Sequence, residues 1–406
     1  MTNIGTQLKK IIKHNFPNFI ENYRVLQSNV TFNKKYWEEH LTKVYDSIDN
    51  LELNPYDKIR LKKYPKNKID RKHAVVEINN TCNLNCAMCQ TMSATRKRGR
   101  MDLELFKKIL SKLSKKGIKT IALHTLGDPL ANPRLPEIFK EIRNFGLKTS
   151  ICTNGLLLDK HVKTLVEYMD ICPSISFSID GSKAETYEKI RIGGKFDNLI
   201  NQLELCNEQL RSKGMSVKIQ YMICNDNLDQ IGEFICKFRK YVLIPEHDIN
   251  FAVITGLAPD NSYFNKANPF PNLTHKNLMC FRPAGDPLWF NVDGTVSACC
   301  RDYHGDLIVG DIINQNFDEI IYGKPLKKLQ QAHESGDLSK FPLCDSCYRP
   351  DKRIDGIINF LIRFLIFLKP NGDAYFYQKN VDEIIKTFQS RSNFSDKIKT
   401  VMSNLN

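Results

Sequence analysis

The chain has 406 residues, 42% hydrophobic and 26% charged, ordinary values for a soluble globular protein of two or three modest domains. Thirteen cysteines are many for that length, yet the N-terminal stretch MTNIGTQLKKIIKHNF has no apolar core of the length an export signal needs; a secreted disulfide scaffold is excluded, and a reducing cytoplasmic setting with thiols available for metal is expected. Half of the net charge of +14 sits in residues 1–72, which carry +7: a solvated Lys-rich surface, or a face toward a partner bearing phosphate or carboxylate.

Residues 1–72 read as a polar, mainly helical extension punctuated by Pro17, Pro55 and Pro65. The texture changes at residue 73. HAVVEIN (73–79) is a short β-branched run, and a cysteine-rich loop follows it directly. Asp102 is placed to cap a helix whose apolar face is Leu103, Phe106, Ile109, Leu110 and Leu113, closed by Gly117. Strand-like runs then recur at 119–125, 147–153, 174–180, 216–224 and 248–254. Helical patterns separate them at 135–146, 159–169, 196–209 and 230–241. Six strands alternating with helices predict a parallel α/β sheet with its functional loops after the strand C-terminal ends.

The rhythm stops near residue 260. LWFNVDGTVSACC (288–300) predicts a β-hairpin with a type I′ turn at Asp293-Gly294. A boundary is placed at 258–275, where Pro and Asn cluster. The apolar run IINFLIRFLIFL (357–368) is too short to span a bilayer and is interrupted by Arg363, so it reads as a buried helix. The expected domains are 1–72, 73–260, 261–348 and a helical tail, 349–406.

The loop TCNLNCAMCQ (81–90) carries Cys82, Cys86 and Cys89 in C-x3-C-x2-C spacing. A closed zinc site or a fully ligated iron–sulfur cluster takes four ligands. Three thiolates leave one iron of a [4Fe–4S] cluster open to a small molecule. This spacing, on the loop after the first strand of an α/β domain, resembles the radical S-adenosylmethionine (SAM) enzymes. The resemblance implies a partial (β/α)6 TIM-like barrel, with SAM held on the open iron through its amino and carboxylate groups. LGDPL (126–130) resembles the family's GGEP motif, with Leu126 for the first glycine and Asp128 for the usual Glu. It implies that Gly127 and Asp128 hold the SAM amino group. TNG (153–155), containing Asn154, follows the third strand. SIDG (178–181) followed by Arg191 resembles the family's Ser and Arg pair that contacts SAM, giving Ser178, Asp180 and Arg191 as cofactor-binding candidates. Met88 stands where the family often has an aromatic residue. Cys152, Cys172, Cys206, Cys224 and Cys236 read as small core hydrophobes.

A second set follows: Cys280, Cys299 or Cys300, Cys344 and Cys347. Its surroundings resemble the SPASM domain, an auxiliary-cluster extension of radical SAM enzymes. Nothing cysteine-bearing follows Cys347, so one auxiliary [4Fe–4S] cluster is expected, as in the shortened twitch-like variants. Spacing favours Cys299 as the hairpin ligand. A structural zinc site is the competing reading of these four thiols.

The resemblance implies reductive cleavage of SAM to a 5′-deoxyadenosyl radical that abstracts hydrogen from a substrate. The substrate expected is a sugar-like or nucleotide-linked small molecule, oxidised or epimerised, with an electron donor such as flavodoxin or ferredoxin. The alternatives are a peptide or protein maturase, an RNA-modifying radical SAM enzyme, and a zinc-stabilised nucleic-acid-binding protein. RKRGR (96–100) is either a solvated loop or a face for an anionic substrate. His124 and Tyr221 are candidates for substrate contact or for satisfied interior residues.

Overall fold

The computed structural model describes Glu39 and residues 72–390, except 92, 255–261, 272–273, 276–279, 281, 286, 348 and 351, and leaves the side chains of 274–275, 349–350 and 352–354 undescribed. The expected N-terminal extension therefore lies outside the described residues, apart from Glu39 and Lys72.

The predicted alternation is present. Strands β1 (His73–Val76), β2 (Thr120–Ala122), β3 (Lys148–Thr153), β4 (Ser174–Ser178), β5 (Ser216–Ile223) and β6 (Ile249–Val253) run parallel and pair in sequence order. β6 does not pair back onto β1, so the barrel stays open. Helices α1 (Leu103–Lys115), α2 (Leu135–Asn144), α3 (Val162–Glu167), α4 (Ala184–Ile190), α5 (Phe196–Gln209) and α6 (Ile231–Phe238) lie between the strands.

The local signals behave as expected at α1. The Asp102 carboxylate accepts from the Glu104 and Leu105 amides, and Phe106, Ile109, Leu110 and Leu113 are buried. Gly117 follows the helix at φ +77°, the left-handed conformation that glycine adopts without steric cost. Helix α4 was not expected. Its buried residues, Thr186, Tyr187 and Ile190, are too few to give a periodic pattern.

The strands alternate cleanly. On β5, Val217, Ile219, Tyr221 and Ile223 are buried. Tyr221 packs on Phe234 of α6 with ring centroids 4.2 Å apart, and its hydroxyl donates to the Asn227 carbonyl at 2.7 Å. This face therefore looks toward the helices, and Tyr221 is a satisfied interior residue rather than a substrate contact. Lys218 and Gln220 look the opposite way, toward the concave side.

The C-terminal half extends the barrel sheet and adds a small antiparallel pair, Thr274–His275 with Arg349–Pro350. Strand β7 (Trp289–Phe290) pairs parallel with β1, and β8 (Thr295–Ser297) and β9 (Ile308–Asp311) follow antiparallel, extending one sheet to nine strands. The hairpin between β7 and β8 differs from the expected type I′ turn. The Gly294 amide donates to the Asn291 carbonyl, and the Asn291 amide to the Thr295 carbonyl. Val292 and Asp293 thus form the turn and Gly294 follows at φ +87°, giving a three-residue loop. Two further helices are α7 (Lys324–Ser335) and α8 (Pro342–Asp345).

The tail forms α9 (Lys352–Leu368) and α10 (Ala374–Ser390). Ile358, Leu361, Ile362, Leu365 and Ile366 of the apolar run are fully buried. β6 is an edge strand, and α9 covers that edge. Asp355 and Asn359 accept from the Val253 and Phe251 amides at 2.7 and 2.9 Å. Arg363 interrupts the run because its guanidinium donates to the Glu246 carbonyl at 2.6 Å. Among the described residues, no helix is long and apolar enough to cross a membrane. Leu361→Ala is expected to cost about 2–5 kcal/mol of stability through the cavity it leaves. Urea unfolding measures this, and a loss under about 0.5 kcal/mol would mean that α9 is not core.

Candidate functional site

The three-cysteine loop leaves β1 at Glu77 and returns at residue 96. Glu77 is fully buried and meets Arg96 in a two-bonded ion pair, Nη1 to Oε2 at 2.7 Å and Nη2 to Oε1 at 2.9 Å. The same carboxylate accepts from the Leu126 amide at 3.3 Å and the Val292 amide at 3.4 Å. One acid thus ties together the cysteine loop, the loop after β2 and the C-terminal hairpin. Arg96 is therefore not part of a solvated basic patch. Arg98 is likewise engaged, donating to the Thr91 carbonyl.

The neck of the loop is closed further. Asn80 exchanges backbone and side-chain bonds with Gly99 and Lys97, and the Met101 amide donates to the Ile78 carbonyl. Asn79 Nδ2 donates to the carbonyls of Thr81 (2.8 Å) and Asp128 (3.1 Å). Gly127 passes against this neck. A Cβ there would collide with the Asn79 carbonyl and stand 2.6 Å from the Thr81 carbonyl, so glycine is needed for close approach rather than for turn geometry.

Two strand ends and the end of α4 converge on the cysteines. After β2, the Asp128 amide donates to the Thr81 carbonyl at 3.1 Å. After β3, Asn154 Nδ2 lies 2.9 Å from Asn83 Oδ1 and 3.7 Å from Cys82 Sγ. After α4, the Ala87 and Asn85 amides donate to the carbonyls of Ile190 and Ile192. Arg191 Nη1 reaches Cys86 Sγ at 3.6 Å, and Asp180 holds its Nη2 at 2.5 Å. Ser178 sits apart from the cysteine loop, with its hydroxyl 3.7 Å from Cys152 Sγ.

The Asp128 carboxylate is heavily used. It accepts from Leu130 N (2.9 Å), Asn154 N (2.7 Å) and the Thr153 hydroxyl (2.8 and 2.9 Å). Burial pushes this carboxyl up, while those donors and Arg191 oppose the shift. Its first task is to lock the loops after β2 and β3 together.

The thiols interact with one another. Burial pushes Cys82 up to about 12, with Asp128, Cys86 and Cys89 adding to the shift. Burial also raises Cys86, and Arg191 counters it. Bound cationic iron would reverse this penalty. Among the described residues, no three His, Cys, Asp or Glu are gathered tightly enough to hold one metal ion. A four-iron cluster takes a wider set, since each thiolate binds a different iron. The donor set fits such a cluster: three thiols on one loop, backed by a guanidinium.

The second set lies beside β8. Cys299 and Cys300 fall after the strand ends at Ser297, so the alternation of a strand does not separate them. They share a hydrogen bond that raises Cys299. Arg282 Nη1 donates to Cys300 Sγ at 3.0 Å, and Arg301 Nη1 to Cys347 Sγ at 3.5 Å. The Cys347 amide donates to the Cys344 carbonyl, and the Cys280 amide to His333 Nδ1 at 3.3 Å. Two guanidiniums at the thiols suit an anionic thiolate cluster. No disulfide joins any of the thirteen cysteines.

The two sets are docked to each other. His304 Nδ1 meets the Thr95 amide and hydroxyl at 3.3 and 3.2 Å. Tyr303 is buried in this contact, and its phenol is pushed up by burial and then by Cys300 and Cys89, one thiol from each set. Of the cysteines read as core, Cys172, Cys206 and Cys224 are buried. Cys152 is not. It is half-buried beside the Ser178 hydroxyl and the Gln220 amide. His124 is held toward its neutral form by burial, and its Nδ1 lacks a hydrogen-bond partner.

The spacing of the cysteines did not reveal Glu77, Asn79, Asn80 or Arg96. A signal existed at Glu77, an acid inside an apolar strand. Its partner nineteen residues on carried none.

An open α/β barrel with three cysteines after its first strand and a second thiol set docked beside them defines an iron–sulfur protein. The family model of the radical SAM superfamily matches residues 76–235, and that of the SPASM iron–sulfur cluster-binding domain matches 280–348. The chain carries a radical SAM domain and, C-terminal to it, a SPASM domain. The first domain implies a [4Fe–4S] cluster and SAM, and the second implies auxiliary iron–sulfur clusters.

Among similar proteins, the tungsten-containing aldehyde ferredoxin oxidoreductase cofactor-modifying protein of Pyrococcus furiosus is 30% identical over 169 residues, 40% of this chain and 46% of the relative. The mycofactocin maturase MftC of Mycobacterium tuberculosis is 28% identical over 168 residues, 41% of each chain. The GTP 3′,8-cyclase of Chlorobaculum tepidum is 26% identical over 178 residues, 43% of this chain and 50% of the relative. The chain thus spans about half the length of the curated relatives it matches. The crystal structure of Streptococcus suis SuiB bound to precursor peptide SuiA aligns with a TM-score of 0.50 at 14% identity, covering 92% of this chain and 89% of that one. That likeness concerns the fold alone.

Two substitutions test the neck. Arg96→Met leaves Glu77 buried without its partner and is expected to cost about 3–5 kcal/mol. Gly127→Ala is expected to cost about 1–3 kcal/mol by overpacking and to lower iron retention at the first site. Chemical denaturation and iron assay of anaerobic protein measure both. Wild-type values for either variant would show that the neck is not the constraint described.

Proposed function

We propose that this radical SAM enzyme cleaves SAM reductively and removes a hydrogen atom from a polar small molecule, sugar-like or nucleotide-linked, which it oxidises or epimerises. The observation that carries the reading is the convergence of Asp128 and Asn154, from the ends of β2 and β3, and of Arg191, from the C-terminus of α4, on the loop of Cys82, Cys86 and Cys89. In this reading those cysteines hold the first cluster, and Gly127, Asp128, Asn154, Ser178, Asp180 and Arg191 surround SAM. When bound, the cluster and SAM supply a carbon radical able to take hydrogen from unactivated carbon.

The chain's own groups have definable tasks. Asp180 fixes the Arg191 guanidinium, so that its charge faces Cys86 and is available to an anionic carboxylate beside it. Gly127 lets the backbone after β2 come within contact of the cysteine loop. Cys280, Cys299, Cys344 and Cys347 hold the auxiliary cluster, with Cys299 chosen over Cys300 by spacing. Arg282 and Arg301 offset its thiolate charge. A substrate radical must lose an electron to become a ketone or alkene, and the docking of His304 on Thr95 sets the auxiliary ligands against the loop where that electron would be released. A small external electron donor such as flavodoxin or ferredoxin, and a cytoplasmic setting, complete the proposal.

Replacing Cys82, Cys86 and Cys89 together with Ala tests the assignment. The variant should keep its auxiliary iron, and with it broad absorption near 400 nm (roughly; sulfur-to-iron charge transfer). It should make no 5′-deoxyadenosine under reducing conditions. Undiminished 5′-deoxyadenosine would overturn the reading. Colourless wild-type protein carrying zinc would favour the zinc-stabilised alternative.

A further inference from the structure

The concave side of the sheet is polar, unlike that of closed eight-stranded barrels. Inner faces of such barrels are normally filled by branched apolar residues. Here the residues opposite the helix-packed face are polar. In β4 the helix side carries Ile175 and Phe177, both fully buried, and the concave side carries Ser174, Ser176 and Ser178, all half-exposed. In β5 the concave side carries Lys218 and Gln220.

Strand registers place these side chains in two rows. Cys152 pairs with Ser176, which pairs with Lys218. One step toward the cysteine loop, Ser178 pairs with Gln220, which pairs with Asn250. The Ser176 hydroxyl is shielded from solvent and interacts with the Cys152 thiol, a weak hydrogen-bonding group. A buried hydroxyl so weakly paired gains from a stronger partner.

Charge on this face is one-sided. The carboxylates around it are occupied, including Asp248, which the register places level with Lys218. Glu77 is paired with Arg96, Asp180 with Arg191, and Asp248 accepts from the Ile244 amide and from His247. Lys148 begins β3 and is exposed at the lower end. Lys218 sits in the middle of the face, half-buried, two residues below Gln220. None of those three carboxylates pairs with it. Among the described residues Lys218 makes no ion pair, and an unpaired cation on a sheet face departs from the local rules of a sheet interior; such departures cluster at functional sites.

We propose that the substrate held on this concave face is a hydroxyl-bearing small molecule with one anionic group, carboxylate or phosphate, and that Lys218 selects the anion. The hydroxyl and amide groups of Ser176, Ser178 and Gln220 match the polyol part. This inference rests on the radical SAM reading and narrows its substrate class.

The test uses anaerobically reconstituted full-length protein and three probes that share a polyol frame: glucose, gluconate and glucose 6-phosphate. Isothermal titration should show at least one anionic probe binding about tenfold or more tighter than glucose, a difference of about 1.4 kcal/mol. Lys218→Met should abolish that preference. Lys218→Arg and Lys148→Met should retain it. All variants should form 5′-deoxyadenosine without substrate at the wild-type rate. Equal affinity for glucose, absence of binding by both anionic probes, or a preference that survives in Lys218→Met would each overturn the inference. Failure of wild-type protein to make 5′-deoxyadenosine would instead strike the radical SAM reading, and is read out separately.

Discussion

The buried pair of Glu77 and Arg96 is the constraint on which the candidate site depends. A carboxylate with no solvent access must be neutralised where it stands. Arg96 does this with two parallel bonds, and in doing so it closes a nineteen-residue excursion into a loop of fixed neck. Cys82, Cys86 and Cys89 ride on that excursion. Because the same carboxylate takes amides from Leu126 and Val292, the loop cannot shift without disturbing the barrel strand beside it and the hairpin beyond it.

The architecture converts that constraint into proximity. Parallel strands deliver their C-terminal ends to one side, so loops far apart in sequence meet over one loop of cysteines. Asp128, Asn154 and Asp180 each spend polar atoms on backbone amides and on neighbouring side chains. The result is a rigid cradle in which few groups await a partner. Those that do include Asn79 Oδ1 at the neck, the Thr125 and Tyr187 hydroxyls and the His124 Nδ1, buried polar atoms of the barrel domain.

The C-terminal half serves the same site. β7 continues the barrel sheet past β1, and Thr95 meets His304, so the second thiol set is held against the first. At the other edge α9 accepts from two β6 amides and covers that strand. The open barrel thus has both edges protected by chain that the superfamily core does not include.

The sequence by itself determined the strand and helix order of the barrel, the cap at Asp102, and the two cysteine sets. These rest on local periodicity and spacing, which a linear chain displays directly. It also pointed to Gly127, Asn154 and Arg191 as neighbours of the loop, through short motifs at strand ends. It did not show helix α4, the three-residue loop ending at Gly294, or the inward burial of Arg96, which reads in the chain as part of a basic run. Only the tertiary structure decided that Tyr221 faces helices while Lys218 faces the concave side, that β7 joins β1, and that Cys152 lies among hydroxyls. Each of these depends on which face of a strand meets which layer, and on partners tens or hundreds of residues away. Such pairings leave no periodic trace in the chain, because they are set by packing and charge compensation between elements rather than within them.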